Sequence, residues 1–127
     1  MADETKIILL DDDKFLLDMY SLKFSQAGFH VQPCFSTQEA LETLRGGFKP
    51  DVILFDVTMP GDDGFAFLQK VNDEKLAPNA RLIALTNQGD DADKKKAEDL
   101  GVHKYCIKAS MIPSEVVNMV KAEMLKK

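Results

Sequence analysis

Short continuous runs of apolar residues are the feature that most constrains the fold of this chain. Residues 7–10, 52–55 and 82–85 are apolar throughout instead of alternating with polar residues. Continuous runs of this length are typical of strands that are covered by helices on both faces of a sheet. Weaker apolar runs at residues 31–35 and 105–107 complete a set of five predicted strands.

Segments with helical spacing separate these strands. Residues 14–27 place a broad apolar face on the first predicted helix, which ends at Gly28; the face is formed by Phe15, Leu16, Met19, Leu22 and Phe24. Thr37 is predicted to cap the second helix, and Pro113 or Ser114 to open the last. A strand followed by a helix, repeated five times, predicts right-handed crossovers. We therefore expect a single-domain α/β fold of the (βα)5, flavodoxin-like type, with a doubly wound parallel five-stranded sheet.

Composition narrows the function classes. The chain has 127 residues, 45% hydrophobic and 29% charged, as in an ordinary globular domain. Its formal net charge of −5 argues against direct binding to nucleic acid, which needs a basic face. No apolar segment is long enough to span a membrane, and the acidic start does not resemble a signal peptide. We therefore expect a cytoplasmic protein without membrane contacts.

The two cysteines do not indicate a catalytic or metal site. Cys34 and Cys106 lie far apart in the sequence and have no metal-ligand spacing. Both occur in apolar stretches, which predicts reduced thiols in the core. The two histidines, His30 and His103, occupy positions typical of residues at the start of a strand.

Polar side chains follow the predicted strands at the edge where such sheets bind ligands, outside the carboxyl ends of the strands. In strand order these residues are Asp11, Asp12 and Asp13 after the first strand, Asp56 after the third, Thr86 after the fourth and Lys108 after the fifth. Each residue type alone has an ordinary structural explanation, such as a helix cap or a turn for Asp62 and Asp63 before Gly64. The coincidence at one edge predicts a site.

The predicted site has a specific chemistry. Close carboxylates repel one another, so they need a cation, and a hard divalent ion with oxygen ligands, Mg²⁺ or Mn²⁺, suits them. Lys108 would supply a second positive charge. A carboxylate such as Asp56 between a metal ion and a lysine is placed to attack a phosphoryl group. The Thr86 hydroxyl would then donate a hydrogen bond to the phosphoryl oxygens.

Four motifs in this order, "KIILLDDDK", "DVILFDVTMPGDDGF", "ALT" and "YCIK", resemble the receiver domain of two-component response regulators. The resemblance covers residues 6 to about 125 and implies a role for each matching residue. Asp56 would be the phosphoacceptor, and Thr86 and Lys108 would contact the phosphoryl group. Mg²⁺ would be bound by Asp12 directly, by Asp11 mainly through water, by Asp56, and by the backbone carbonyl of Thr58. Thr86 and Tyr105 would form the conformational switch.

The resemblance also implies partners. The phosphoryl donor would be a phosphohistidine on a sensor histidine kinase or a phosphotransfer protein, and an unknown downstream protein would read a face around residues 90–126. Such a receiver catalyses its own phosphorylation and dephosphorylation but is not a turnover enzyme. We expect a monomer or a phosphorylation-dependent dimer. By this resemblance we expect residues 1–127 to be a receiver domain without an output domain, which would suit a stand-alone, chemotaxis-regulator-like protein, a phosphorelay intermediate or a fragment.

Two features and three rival functions stay open at this point. Ala109 follows Lys108 where the family usually has proline, and we expect a trans bond there. Asp13 extends the acidic run, although its position at the start of a helix favours Asp11 and Asp12 as ligands.

A phosphatase of the haloacid-dehalogenase type would use Asp11 and Asp13, but the chain lacks room for a substrate-binding cap. A pseudo-receiver that is never phosphorylated and a flavin-binding domain are the other two alternatives.

Overall fold

The computed structural model describes residues 5–59, 62–86, 91–107 and 112–125. Five parallel strands form the central sheet in the order β2-β1-β3-β6-β7. The bounds of these strands are β1 Lys6–Leu10, β2 His30–Cys34, β3 Val52–Asp56, β6 Arg81–Thr86 and β7 Lys104–Ile107. A separate two-stranded antiparallel hairpin, β4 Thr58–Met59 with β5 Asp62–Asp63, follows β3.

Helices cover both faces of the sheet. They are α1 Lys14–Gln26, α2 Thr37–Arg45, α3 Gly64–Asp73, α4 Asp91–Asp99 and α5 Pro113–Met124. Buried residues of α1 and α5 pack in one core cluster, whereas buried residues of α2, α3 and α4 pack in the other. The predicted doubly wound α/β fold with five parallel strands is therefore confirmed.

The two clusters explain why the central strands are apolar throughout. In β1, Ile7 and Leu9 belong to the cluster beneath α1 and α5, whereas Ile8 and Leu10 belong to the opposite one. The same alternation runs along β3. Because successive side chains of a strand point to opposite faces, a strand covered on both sides needs an apolar residue at every position.

The structure corrects the predicted buried face of α1. Phe15 is 74% exposed and Leu22 58% exposed, although both were predicted to lie on the apolar face. The buried residues are Leu17, Tyr20 and Phe24, which share one side of the helix at spacings of three and four residues. The helix contains apolar residues on more than one side, so its periodicity alone leaves the buried side undetermined.

Helix ends follow local chemistry, with one correction. Ser36, not Thr37, caps α2, because its Oγ accepts a hydrogen bond from the Glu39 N–H at 3.1 Å. Ser36 has extended backbone angles, as an N-cap requires, and Thr37 is the first helical residue. Pro113 opens α5, one of the two predicted possibilities. Gly28 has a φ of 95° just after α1, which is the left-handed conformation that ends helices.

The hairpin changes the prediction for the acidic pair before α3. Asp62 and Asp63 were predicted to be turn residues, but they form β5 opposite Met59 and Thr58. The predicted turn residues Pro60 and Gly61 lie outside the described part of the chain. The hairpin takes the chain from the end of β3 to the start of α3.

The cysteines are buried free thiols, as predicted. Burial raises the pKa of the Cys34 thiol to about 11 and also raises the pKa of Cys106, so both stay protonated and unreactive near neutral pH. His30 begins β2, and His103 precedes β7, where its Nδ1 accepts a hydrogen bond from the Leu82 N–H at 3.0 Å. Burial lowers the pKa of His103, and the positive charge of Arg81 lowers it further.

None of the helices in the described residues has the length and apolar character needed to cross a membrane.

The end of α3 contains a strained lysine. Lys75 has a φ of 52°, and the N–H groups of Lys75 and Leu76 donate to the carbonyls of Asn72 and Val71. This is the hydrogen-bonding pattern of a Schellman motif, in which the left-handed position is usually glycine. The left-handed conformation costs a residue with a Cβ about 1–2 kcal/mol of conformational free energy.

We expect Lys75→Gly to stabilise the protein by about 0.5–1 kcal/mol, because relief of strain exceeds the added entropy of the unfolded chain. Urea unfolding measures the free energy of unfolding. The matched control is Lys70→Gly within α3, which should destabilise by about 1 kcal/mol because the same change there only loosens a helix. A loss of stability in Lys75→Gly would contradict the assignment of strain.

Candidate functional site

Three carboxylates meet at the carboxyl edge of the sheet. Asp11 and Asp12 follow β1, and Asp56 is the last residue of β3. Oxygen atoms of the three carboxylates lie within 4.8 Å of one another. The cause is the pairing of the two strands, since Leu10 lies opposite Phe55 and the next residues are therefore neighbours.

Burial differs among these three residues. Asp11 is 3% exposed and Asp56 is 2% exposed, whereas Asp12 is open to solvent. Carboxylates held this close in a buried place repel one another unless positive charge or hydrogen-bond donors compensate. The cluster therefore has two inner ligand atoms and one outer one, and all of them are hard oxygens that suit Mg²⁺ or Mn²⁺.

The third acid of the run has a different task. The Asp13 carboxylate accepts a hydrogen bond from the Leu16 N–H at 3.2 Å and so caps α1. The Asp13 N–H in turn donates to the Asp11 carboxylate at 2.9 Å. Asp13 is not part of the three-carboxylate group. The expectation that Asp13 starts the helix is confirmed.

Strand pairing and burial hold the backbone of Asp56 in place. Its register partner is Leu85 on β6, and the N–H of the next residue, Val57, donates to the Leu85 carbonyl at 3.0 Å. The ladder between the two strands therefore continues past the aspartate. Every residue of β3 is buried, so the backbone that carries this carboxylate is held from both faces.

Thr86 lies at the same edge. It is the last residue of β6, is 1% exposed and lies opposite Ile107 of β7. Because Asp56 pairs with Leu85, Thr86 is one residue further toward the ligand-binding edge on the adjacent strand. Tyr105 lies further back on β7, opposite Ala84, and its half-buried ring packs against the cluster beneath α2, α3 and α4.

The described part of the chain includes the backbone of one further predicted site residue and excludes another. The backbone of Thr58 belongs to β4, two residues after Asp56. Lys108 and Ala109, with the bond between them that was predicted to be trans, lie outside the described residues. The strand before them, β7, ends at Ile107 beside Thr86.

Gly64 is a site residue that sequence reasoning missed. A Cβ on Gly64 would lie 2.8 Å from the Asp56 carbonyl oxygen and 2.9 Å from the Val57 Cα. Both neighbours are backbone atoms and cannot rotate away. The first residue of α3 therefore touches the backbone of Asp56 directly. The sequence contains a signal for this contact, a glycine between an acidic pair and an apolar helix, but that pattern by itself indicates only a turn.

Exposed apolar side chains form an apolar rim at the same edge of the sheet as the acidic group, and the sequence did not predict it. These four side chains lie in the first turn of α1, just after β2, at the end of β7 and just before α5, and all of them are solvent-exposed: Phe15 74%, Phe35 41%, Ile107 38% and Ile112 61%. Exposed apolar groups collected around one site are typical of a surface that contacts another protein.

Comparison with known proteins gives a consistent result. A family model described as the response regulator receiver domain matches residues 7–121. The regulatory protein VanRc of Enterococcus gallinarum is 32% identical over 119 residues, which cover 94% of this chain and 49% of that protein. The chain spans about half the length of the curated relatives it matches.

Solved structures share the fold. A CheY-like receiver domain protein from Methanospirillum hungatei has a TM-score of 0.87 at 22% identity, covering 98% of this chain and 96% of that one. The chemotaxis response regulator CheY4 of Vibrio cholerae has a TM-score of 0.84 at 24% identity, covering 96% and 99% of the two chains. These likenesses establish the same arrangement of strands and helices.

We expect Gly64→Ala to destabilise the protein by about 1–3 kcal/mol, because the new methyl group collides with backbone that cannot move without displacing Asp56. Urea unfolding provides the measurement. Gly46→Ala is the matched control: its nearest neighbour is the Glu42 carbonyl at 3.3 Å and it has a right-handed helical backbone, so the change should stay within about 0.5 kcal/mol. Equal stabilities for the two variants would show that the contact at Gly64 is not tight.

Proposed function

The chain belongs to the response regulator receiver domain family, and from that premise we propose that it accepts a phosphoryl group on Asp56. Receiver domains act in two-component phosphorelay signalling. The observation that carries the proposal is the cluster of Asp11, Asp12 and Asp56 at the carboxyl ends of two adjacent buried strands. Asp56 is the member that ends the more central strand, β3.

The proposed reaction transfers a phosphoryl group from a histidine nitrogen of the donor to a carboxylate oxygen of Asp56. A carboxylate oxygen of Asp56 attacks the phosphorus of a phosphohistidine, the P–N bond breaks, and the histidine nitrogen leaves with the electron pair and takes up a proton. The product is an acyl phosphate on Asp56. The Thr86 hydroxyl would donate a hydrogen bond to a phosphoryl oxygen, and the Lys108 ammonium would pair with another.

The donor set fits a divalent metal ion. Asp12, Asp11 through water, Asp56 and the Thr58 backbone carbonyl would hold Mg²⁺, or alternatively Mn²⁺, and the three clustered members offer only oxygen ligands. When bound, the ion offsets the negative charge that gathers as a phosphoryl group meets three carboxylates. The chain's own contribution is to hold these oxygens together on two paired strands before any ligand arrives.

The apolar rim favours a protein as the physiological donor. Phe15, Phe35, Ile107 and Ile112 would contact the surface that presents the phosphohistidine, on a sensor histidine kinase or a phosphotransfer protein. A small phosphate ester would have no use for these side chains. Each chain would carry one phosphoryl group and lose it to water or to a partner, so it would act as a phosphoacceptor and not as a turnover enzyme.

One observation opposes the phosphatase alternative. That reaction would need the Asp13 carboxylate as a second reactive group beside Asp11. The Asp13 carboxylate instead accepts the Leu16 N–H and caps α1, and it stays outside the three-carboxylate group.

We expect a small acyl phosphate to add one phosphoryl group to the protein only when Mg²⁺ is supplied. Intact-mass spectrometry with and without EDTA measures the addition. Asp56→Asn should abolish labelling, because an amide is not a nucleophile for phosphorus. Asp18→Asn is the matched control, an exposed acid on α1 whose loss should leave labelling intact. Labelling of the Asp56→Asn variant would remove the assignment.

We further propose that phosphorylation changes a face built from α4, β7 and α5, with Thr86 and Tyr105 as the switch. Beryllofluoride with Mg²⁺ mimics the acyl phosphate, and it should shift NMR signals of residues 91–107 and 113–124, including the Tyr105 ring. Thr86→Ser, which keeps a hydroxyl, should retain these remote shifts, whereas Thr86→Ala should lose them. Shifts confined to the surroundings of Asp56 in the unmodified protein would contradict this switch.

A further inference from the structure

A lysine of α4 lies over an aromatic ring of α3. The Lys96 Nζ is 5.0 Å from the centroid of the Phe65 ring. Phe65 is 7% exposed, whereas Lys96 is open to solvent. The ammonium group therefore covers a ring that is otherwise enclosed by the protein, a geometry in which a cation and the negative face of the ring attract each other.

The ring belongs to the segment that touches the phosphoacceptor. Phe65 follows Gly64, whose missing Cβ allows the first turn of α3 to lie against the backbone of Asp56. Phe65 also shares a core cluster with Phe55 and Val57, the two residues that flank Asp56. The Phe65 ring is therefore part of the same packed cluster as the side chains on both sides of the aspartate.

Within residues 94–99 of α4, apolar side chains contribute little to the packing of the helix. Among the side chains that the structure describes in α4, residues 94–99, Ala97 is the one that is buried, and it is small. By comparison, α3 buries Phe65, Phe67, Leu68 and Val71. The methyl group of Ala97 buries little apolar area and therefore contributes little free energy to the packing of this part of α4. A single polar or cation–π contact then makes up a large share of the free energy that holds the helix in place.

We propose that Lys96 is a positioning residue for phosphoryl transfer: its contact with the Phe65 ring ties α4 to the first turn of α3 and keeps that turn against the backbone of Asp56. The proposal deepens the function proposed above and rests on it. Lys96 does not touch the reacting atoms. It acts through Phe65 and Gly64, and it links the phosphoacceptor to a helix of the face that would be read by a partner.

The strength of the contact sets the size of the effect. A cation–π pair at a partly exposed site changes an equilibrium or a rate by about two- to fivefold. Arginine stacks on aromatic rings at least as well as lysine, so Lys96→Arg should preserve the contact. Lys96→Met keeps a long apolar side chain and removes the charge.

The test measures the rate at which a small acyl phosphate labels Asp56 in the presence of Mg²⁺. We expect Lys96→Met to slow labelling about two- to fivefold and Lys96→Arg to leave the rate unchanged. Lys95→Met is the matched control, because this neighbouring lysine is also exposed and carries the same charge. It separates the ring contact from a general attraction of anionic donors to α4, which both lysines would provide.

A double-mutant cycle isolates the pair. Phe65→Leu removes the ring and keeps an apolar side chain, and Lys96→Met should add no further slowing on that background. If the Phe65→Leu protein does not fold, the three lysine variants alone decide. Unfolding midpoints measured alongside separate a change in labelling from a general loss of stability.

The outcomes are distinct. An unchanged rate in Lys96→Met, equal slowing in Lys95→Met, or additive effects of the Phe65 and Lys96 changes would each overturn the positioning role while leaving phosphorylation of Asp56 intact. Absence of labelling in the unmodified protein would instead overturn the proposed function, and the positioning role with it.

Discussion

The pairing of β1 with β3 is the constraint on which the rest of this structure depends. Residues 7–10 lie beside residues 52–55 in parallel register, and every one of these side chains is buried. Parallel pairing brings the carboxyl ends of both strands to one edge, so Asp11 and Asp56 become neighbours. The apolar burial along the strands offsets the electrostatic cost of holding these carboxylates together.

Three consecutive aspartates at the acidic edge have different structural roles. Of three consecutive aspartates, Asp13 caps α1, Asp12 faces solvent and Asp11 is buried beside Asp56. One side-chain chemistry thus serves a structural role and a ligand-binding role within a single turn, and the difference arises from position alone. Gly64 completes the arrangement by letting α3 begin directly against the Asp56 backbone.

Stability is distributed unevenly around this edge. β3 is buried along its whole length, whereas α4 contributes Ala97 as its buried side chain within residues 94–99. Elements with few buried apolar contacts are the ones that move at low energetic cost. A fully buried strand holds the acidic group, and the helix with one small buried side chain within residues 94–99 belongs to the face proposed to respond. In this arrangement a local chemical change at the strand can alter the surface formed by the helix. The contact between Lys96 and Phe65 joins these two parts.

The sequence by itself determined the five strands, their parallel arrangement and the meeting of Asp11, Asp12 and Asp56, because continuous apolar runs, the helical segments between them and the residues at the ends of the runs are local signals. Only the tertiary structure decided which side of α1 is buried, leaving Phe15 and Leu22 exposed, and that Ser36 caps α2 in place of Thr37. It also revealed the tight approach of Gly64 to Asp56. These features depend on distances between segments, which a pattern along one chain does not contain, since the same helix can turn any of its apolar sides toward a sheet.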